Sequence, residues 1–199
     1  MNRIVFASDN PGKVREVAAV LLPTGLQVIP QSDFLVPAAE ETGMSFVENA
    51  IIKARNACQH TRLPAIADDS GLEVDALEGE PGIYSARYAG PDASDENNND
   101  LLLAELSGLP AAERSGRYQC VIVYMRHAAD PTPLICQASW EGRILEQPRG
   151  RSGFGYDPLF WLPDQDCSVA ELPEDLKNRL SHRGRALKAL VQQLAATTG

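Results

Sequence analysis

Ala65-Ile66-Ala67-Asp68-Asp69-Ser70-Gly71 decides how the rest of the chain is read. A short apolar run delivers two adjacent carboxylates, a hydroxyl and a glycine, the pattern of a strand carrying acids to the rim of a sheet. Acids gathered there can hold a hard cation such as Mg²⁺ or take a proton from water. Like charges side by side repel unless a cation intervenes. In extended backbone, neighbouring side chains point to opposite faces. Only one of Asp68 and Asp69 can therefore easily be the central group, and the residues themselves leave the choice open.

Working outward, Arg3 to Ala7 reads as a buried strand, Ser8 to Gly12 as a turn, and Val14, Val17, Ala18 and Leu21 as the apolar face of a helix. Pro23 and Gly25 stop that helix, and Leu26 to Pro30 reads as a second strand. Ser45 and Glu48 form a capping-box pattern before the stripe Val47, Ala50, Ile51, Ala54 and Cys58. Ser94 is placed to cap a helix through Leu106, and Ser181 to cap a last helix carrying Leu187, Leu190, Val191 and Leu194. Tyr118 to Met125 and Leu134 to Trp140 read as long strands joined by Asp130-Pro131-Thr132-Pro133, predicting an antiparallel hairpin. This order predicts an α/β fold with a mixed sheet flanked by helices.

The chain has 199 residues, 44% of them hydrophobic, enough for one sizeable core with room for a second lobe. We expect a single domain over residues 1–199, since no repeat, low-complexity tract or flexible linker interrupts it. Eighteen basic and 27 acidic side chains give a net charge of −9. That balance disfavours a nucleic-acid polymer as partner, but leaves room for a small polyanion met by local lysines and a metal. Cys58, Cys120, Cys136 and Cys167 form no C-x-x-C pair and read as reduced thiols. Met1 to Ala7 lacks the apolar core of a signal peptide, and no run approaches membrane-span length. The expectation is a soluble, cytoplasmic protein with no membrane partner.

Other segments carry chemistry. Ser8-Asp9-Asn10-Pro11-Gly12-Lys13 lies at a strand-to-helix turn, where helix amides attract anions. Lys13 there opposes the helix dipole, and a bound phosphate would reverse that penalty. It is not a Walker A loop. Glu41, in Glu40-Glu41, together with Asp69 would meet the one or two carboxylates that Mg²⁺ asks of a protein. Lys53 follows on the capped helix. Gly153-Phe154-Gly155-Tyr156-Asp157-Pro158 offers an aromatic ring on which a base can stack and a carboxylate for a base edge. Lys177, His182 and Arg183 add donors in a chain poor in positive charge.

Seven motifs in order carry a resemblance: Ser8–Lys13, Glu40-Glu41-Thr42-Gly43, Phe46-Val47-Glu48-Asn49-Ala50 with Lys53, Ala67–Leu72, Pro81–Arg87, Gly153–Pro158 and Ser181-His182-Arg183-Gly184. Any one is weak; together they closely resemble the inosine/xanthosine triphosphate pyrophosphatases, from about Arg3 to the final helix. The resemblance implies an elongated mixed sheet flanked by helices, with two lobes and a central active-site cleft. It implies Mg²⁺-dependent hydrolysis of dITP/ITP and dXTP/XTP to monophosphate and pyrophosphate, cleansing the nucleotide pool, by a protein that is usually a homodimer. Carried onto this chain, Asp69 is the proton acceptor and a metal ligand, with Glu41 the other ligand. Ser8, Asp9, Asn10, Pro11, Gly12 and Lys13 hold the triphosphate, helped by Lys53, while Ser70 contacts substrate. Phe154, Gly155, Tyr156, Asp157, Lys177, His182 and Arg183 surround the nucleoside. Asp9 departs from the family's usual small residue, and an acid there would repel substrate unless it points away.

Overall fold

The structure is a computed structural model that describes residues 3–197; Met1 and Asn2, which open the N-terminal reading, lie outside the described residues. Its strands are β1 (Arg3–Phe6), β2 (Gln27–Pro30), β3 (Ala65–Val74), β4 (Ser115–Met125), β5 (Leu134–Ile144), β6 (Phe160–Leu162) and β7 (Cys167–Ser168). Its helices are α1 (Pro11–Leu21), α2 (Phe46–Thr61), α3 (Asp95–Glu105), α4 (Glu174–Leu180) and α5 (His182–Thr197). The seven strands form one open sheet in the order β2-β1-β3-β4-β5-β6-β7. β1 runs parallel to β2 and β3, whereas β5-β6 and β6-β7 are antiparallel. The expected mixed sheet with helices is present. None of the described helices is long and apolar enough to cross a membrane.

The chain divides into two compact units. The first comprises Met1–Asp69, Cys120–Ala138 and Asn178–Gly199; the second comprises Ser70–Gln119 and Ser139–Lys177.

In the first unit, side-chain alternation along β1 and β3 builds two cores. Ile4, Phe6 and Ile66 pack with Val17 and Leu21 of α1 and Leu187 and Leu190 of α5. Val5, Ala65 and Ala67 pack with Ala50, Ala54 and Ala57 of α2. Each large side chain so buried contributes roughly 1.5–3 kcal/mol. The small alanines on both sides of the second core let α2 lie close to the strands.

In the second unit, Tyr118 and Phe160 stack with centroids 4.4 Å apart. Arg114 is buried there and donates to the carbonyls of Leu106, Ile144 and Leu145 at 2.8–2.9 Å. One buried guanidinium thus has its charge spread over three backbone carbonyls of the second unit.

Two expectations need correction. The acids were expected near the end of a short strand, but β3 is ten residues long and continues to Val74. Charged side chains do not stop a strand whose backbone ladder is made by its neighbours, and Leu72 and Val74 resume the buried pattern. It is β1 that stops, pairing no further than Phe6 with Ile66, so Asp68 and Asp69 lie just past the end of their parallel neighbour. The second concerns the α2 cap. Ser45 Oγ accepts from the Glu48 amide as expected, while the Glu48 carboxylate accepts from the Met44 amide and the Ser45 hydroxyl, so the cap reaches one residue further back than a simple box.

The other boundaries agree with the sequence to within a few residues, and Ser94 and Ser181 cap α3 and α5 as expected. The four cysteines are free thiols, three of them buried. Burial pushes Cys58 up to about 11 and Cys120 up to about 12, which keeps both protonated at neutral pH.

Candidate active site

In the first unit, the alternation that builds the two cores also separates the two acids. Residues 65, 67 and 69 face α2, and residues 66 and 68 face α1 and α5.

Asp69 Oδ1 lies 2.6 Å from Lys53 Nζ, and Glu41 Oε1 lies 3.1 Å from the same nitrogen. Lys53 sits two turns into α2 and its ammonium reaches Asp69 on β3. Burial pushes the Asp69 carboxyl above its usual range, and Glu41 adds to this against the pull of Lys53. For Lys53 burial works the other way, but the charges of Asp69, Asp68 and Glu41 outweigh it and raise the ammonium's pKa.

Glu41 reaches this ammonium because its loop is fastened to the start of α2. Asn49, fully buried, accepts from the Gly43 amide at 2.8 Å. A Cβ on residue 43 would stand 2.6 Å from Glu48 Cβ and 2.7 Å from Asn49 Oδ1, so only glycine permits this approach. Gly43→Ala is expected to cost about 1–3 kcal/mol by urea unfolding, the range for forced overpacking.

Asp68 belongs to a different network. Its Oδ2 meets Lys13 Nζ at 3.0 Å and both Nε and NH2 of Arg183 at 3.2 and 3.1 Å. Arg183 NH1 also pairs with Glu16 of α1. Asp68, Glu16 and Arg183 are all nearly inaccessible. Burial opposes the Asp68 charge, but Lys13 and Arg183 outweigh it and hold its carboxyl well below the usual carboxylate range. The structure therefore separates a carboxylate fixed in ion pairs, Asp68, from one that burial pushes towards protonation, Asp69.

At the α1 turn, Pro11 is the first helical residue and Asn10 the cap. Asn10 Oδ1 accepts from the amides of Gly12 and Lys13 at 2.9 and 3.1 Å, and Ser8 Oγ accepts from the Asn10 amide at 3.2 Å. Two of the helix amides are thus already engaged, and an anion there would share them with the cap. Asp9 accepts from Gln31 Nε2 at 2.7 Å, which engages its carboxylate within the fold. His182 opens α5 beside Arg183 and is buried. Ser70 follows Asp69 on β3, in the second unit.

The remaining expected residues gather within the second unit. Asp157 accepts from the Phe154 amide at 3.0 Å, from Lys177 Nζ at 2.7 Å and from the Tyr118 hydroxyl at 3.3 Å. Lys177 Nζ stands 4.5 Å from the Phe154 ring centroid, a cation-π distance. Tyr156 is buried and donates to the Ser85 carbonyl at 2.8 Å, so it anchors the loop that carries Phe154 and Gly155.

The sequence offers Asn49 only as a member of the Phe46–Ala50 motif and gives Glu16 and Tyr118 no place at the site. Glu16 left one signal: a carboxylate one turn past Lys13, just before the apolar Val17 and Ala18. Tyr118 left none beyond its polar atom in a buried stretch.

Glu41 and Asp69, meeting on one ammonium, are the kind of donor set that Mg²⁺ takes, with water and phosphate oxygens completing the shell. Among the described residues no group of three or more His, Cys, Asp or Glu gathers, so two carboxylates would be the protein's share.

A mixed open sheet, with acids just past the end of a parallel strand and lysines set on them from two helices, defines an α/β protein suited to phosphate chemistry. The model of the Ham1 family matches residues 4–193, and the chain belongs to that family. A dITP/XTP pyrophosphatase of Vibrio parahaemolyticus is 58% identical over 198 residues, covering 100% of this chain and 99% of that one. One from Photobacterium profundum is 56% identical over 194 residues, 98% of each. Among solved structures, a HAM1 protein from Coxiella burnetii superposes with a TM-score of 0.91 at 47% identity, covering 98% of this chain and 100% of that one.

Proposed function

We infer that this chain is a nucleoside triphosphate pyrophosphatase that hydrolyses deaminated purine nucleoside triphosphates, dITP/ITP and dXTP/XTP, to the monophosphate and pyrophosphate. The observation that carries this reading is the meeting of Glu41 and Asp69 on Lys53, in a chain more than half identical to dITP/XTP pyrophosphatases. Asp69 takes the proton from the water that attacks the α-phosphorus. Lys53, already within 2.6 Å of Asp69, and Lys13 neutralise charge on the departing pyrophosphate. Ser8 and Asn10 orient the phosphates at the α1 turn, with Gly12 allowing close approach, and Ser70 contacts substrate beside the catalytic acid. Glu41 and Asp69 would hold Mg²⁺, which when bound supplies electrostatic neutralisation of the phosphate oxygens. Most of the catalysis assigned to the protein is positioning and preorganised charge.

Phe154 provides the stacking surface for the base. Asp157 and Lys177 fix that ring, and His182 with Arg183 offers donors to the purine 6-oxo group. Arg183 carries its part while bonded to Asp68 and Glu16. Adenine has an amino group where inosine has that oxygen, which sets donor against donor. A site built on such a hydrogen bond can reject the mismatch by about 10⁴-fold. The working form is a homodimer in the cytoplasm.

The test supplies ITP with Mg²⁺ and identifies the product. We expect pyrophosphate, with activity abolished by chelation and ATP a poor substrate. Release of orthophosphate would mark a general phosphatase. Equal turnover of dTTP and UTP would mark a pyrimidine-directed enzyme. Equal turnover of ATP would end the 6-oxo account.

A further inference from the structure

We propose that Asp95 and Asn99, on α3, are positioning residues for base recognition; this rests on Phe154 being the stacking surface. Gly155 follows that ring in sequence, and both of its backbone polar groups are held by the same helix. Its amide donates to Asp95 Oδ2 at 2.6 Å, and its carbonyl accepts from Asn99 Nδ2 at 3.0 Å. The two side chains are four residues apart, one helical turn, so they stand on one face of α3 and grip one residue from both sides. Gly155 has φ +61°, a conformation other residues adopt only with strain.

The peptide before the ring is equally constrained. The Phe154 amide donates to Asp157 Oδ2 at 3.0 Å, and the Phe154 carbonyl accepts from the Asp157 amide at 3.3 Å. Every backbone polar group from Phe154 to Gly155 therefore has a partner, and the ring keeps only its side-chain rotation. Phe154, Asp157 and Lys177 hold the ring from the loop and from α4, whereas Asp95 and Asn99 fix where the loop lies on α3. The loop belongs to no sheet ladder; Tyr156 anchors one side of it on Ser85, and Asp95 and Asn99 tie the residue next to the ring to α3. The same helix face borders a cavity of about 350 Å³ lined by Asp95, Asn99, Phe154 and Gly155. Loosening the grip would let the ring swing into that space. The cost would fall on holding the base, not on cleaving the phosphate.

The experiment compares Asp95→Ala, Asp95→Asn, Asn99→Ala and Phe154→Ala as full chains, each checked for folding by thermal melting. It measures kcat and KM for inosine triphosphate and competitive inhibition by inosine monophosphate and by pyrophosphate. Asp95→Ala loses a bond to an ionised acceptor and should raise KM and the monophosphate inhibition constant about tenfold; Asn99→Ala should raise them about fivefold. In both, kcat should stay within about twofold and inhibition by pyrophosphate should not change. Asp95→Asn removes the negative charge at the helix start but keeps an acceptor oxygen, so it should stay close to the parent. Equal losses in Asp95→Asn and Asp95→Ala would mean helix electrostatics, not the grip, and would overturn the proposal. So would weakened pyrophosphate inhibition to match the monophosphate. If Phe154→Ala itself leaves monophosphate inhibition intact, the stacking surface is misplaced and that earlier reading fails instead.

Discussion

Asp69→Asn is expected to yield a folded protein whose turnover of inosine triphosphate falls by about 10²–10⁴-fold, the range for removing a positioned general base. The substitution keeps the shape of the side chain and an oxygen that can still face Lys53. It removes the proposed proton acceptor and one of the two charges that meet on that ammonium. Folding should be little affected, because Lys53 keeps Glu41 as a partner and the direct ion pairs of Asp68 with Lys13 and Arg183 are untouched. Steady-state kinetics with a matched thermal melt decides the matter. Turnover within tenfold of the parent would show that Asp69 is not the base. An activity loss that merely tracks a drop in melting temperature would show the same.

Asp68→Asn should do the reverse and reveal itself first as a loss of stability, about 3 kcal/mol in urea unfolding. That is the low end of the range for removing one partner from a buried ion pair. Arg183 would remain buried with its charge, while Lys13 would lose its Asp68 contact. Glu16 still answers part of the Arg183 charge, which is why the low end applies. Combining Asp68→Asn with Arg183→Met should cost less than the two single changes added together, since each alone strands the other's charge. Simple additivity would show that the two groups do not depend on one another. A cost under about 1 kcal/mol for Asp68→Asn, the value of an exposed pair, would show the same.

Much of this arrangement is legible in the residues. The start of α2 follows from Ser45, which declares a helix start by its own chemistry, whereas Pro11 and Gly12, read as part of a turn, are the first two residues of α1. The length of β3 is harder to see. Asp68, Asp69, Ser70 and Gly71 look like the end of a strand, while the ladder that carries the chain on to Val74 is made by distant segments. The same holds for β6 and β7, five residues in total, whose only local sign is the apolar Phe160-Trp161-Leu162. The sequence identifies Glu41, Lys53 and Asp69 as candidates but not that one ammonium joins the two acids. That Asp68 and Asp69 must face apart follows from strand geometry alone. Which of them meets Arg183 depends on where α5, more than a hundred residues later, comes to rest.

Parity along β3 has a wider consequence. The ion-paired acid and the proposed base are consecutive residues, so their surroundings are assigned by odd and even position. Deleting or inserting one residue between Ala65 and Asp68 would exchange them, turning the proposed base towards Arg183 and the ion-paired acid towards Lys53. Such a change would strike folding and chemistry together. Length variation in this stretch is therefore barred more firmly than any single replacement within it.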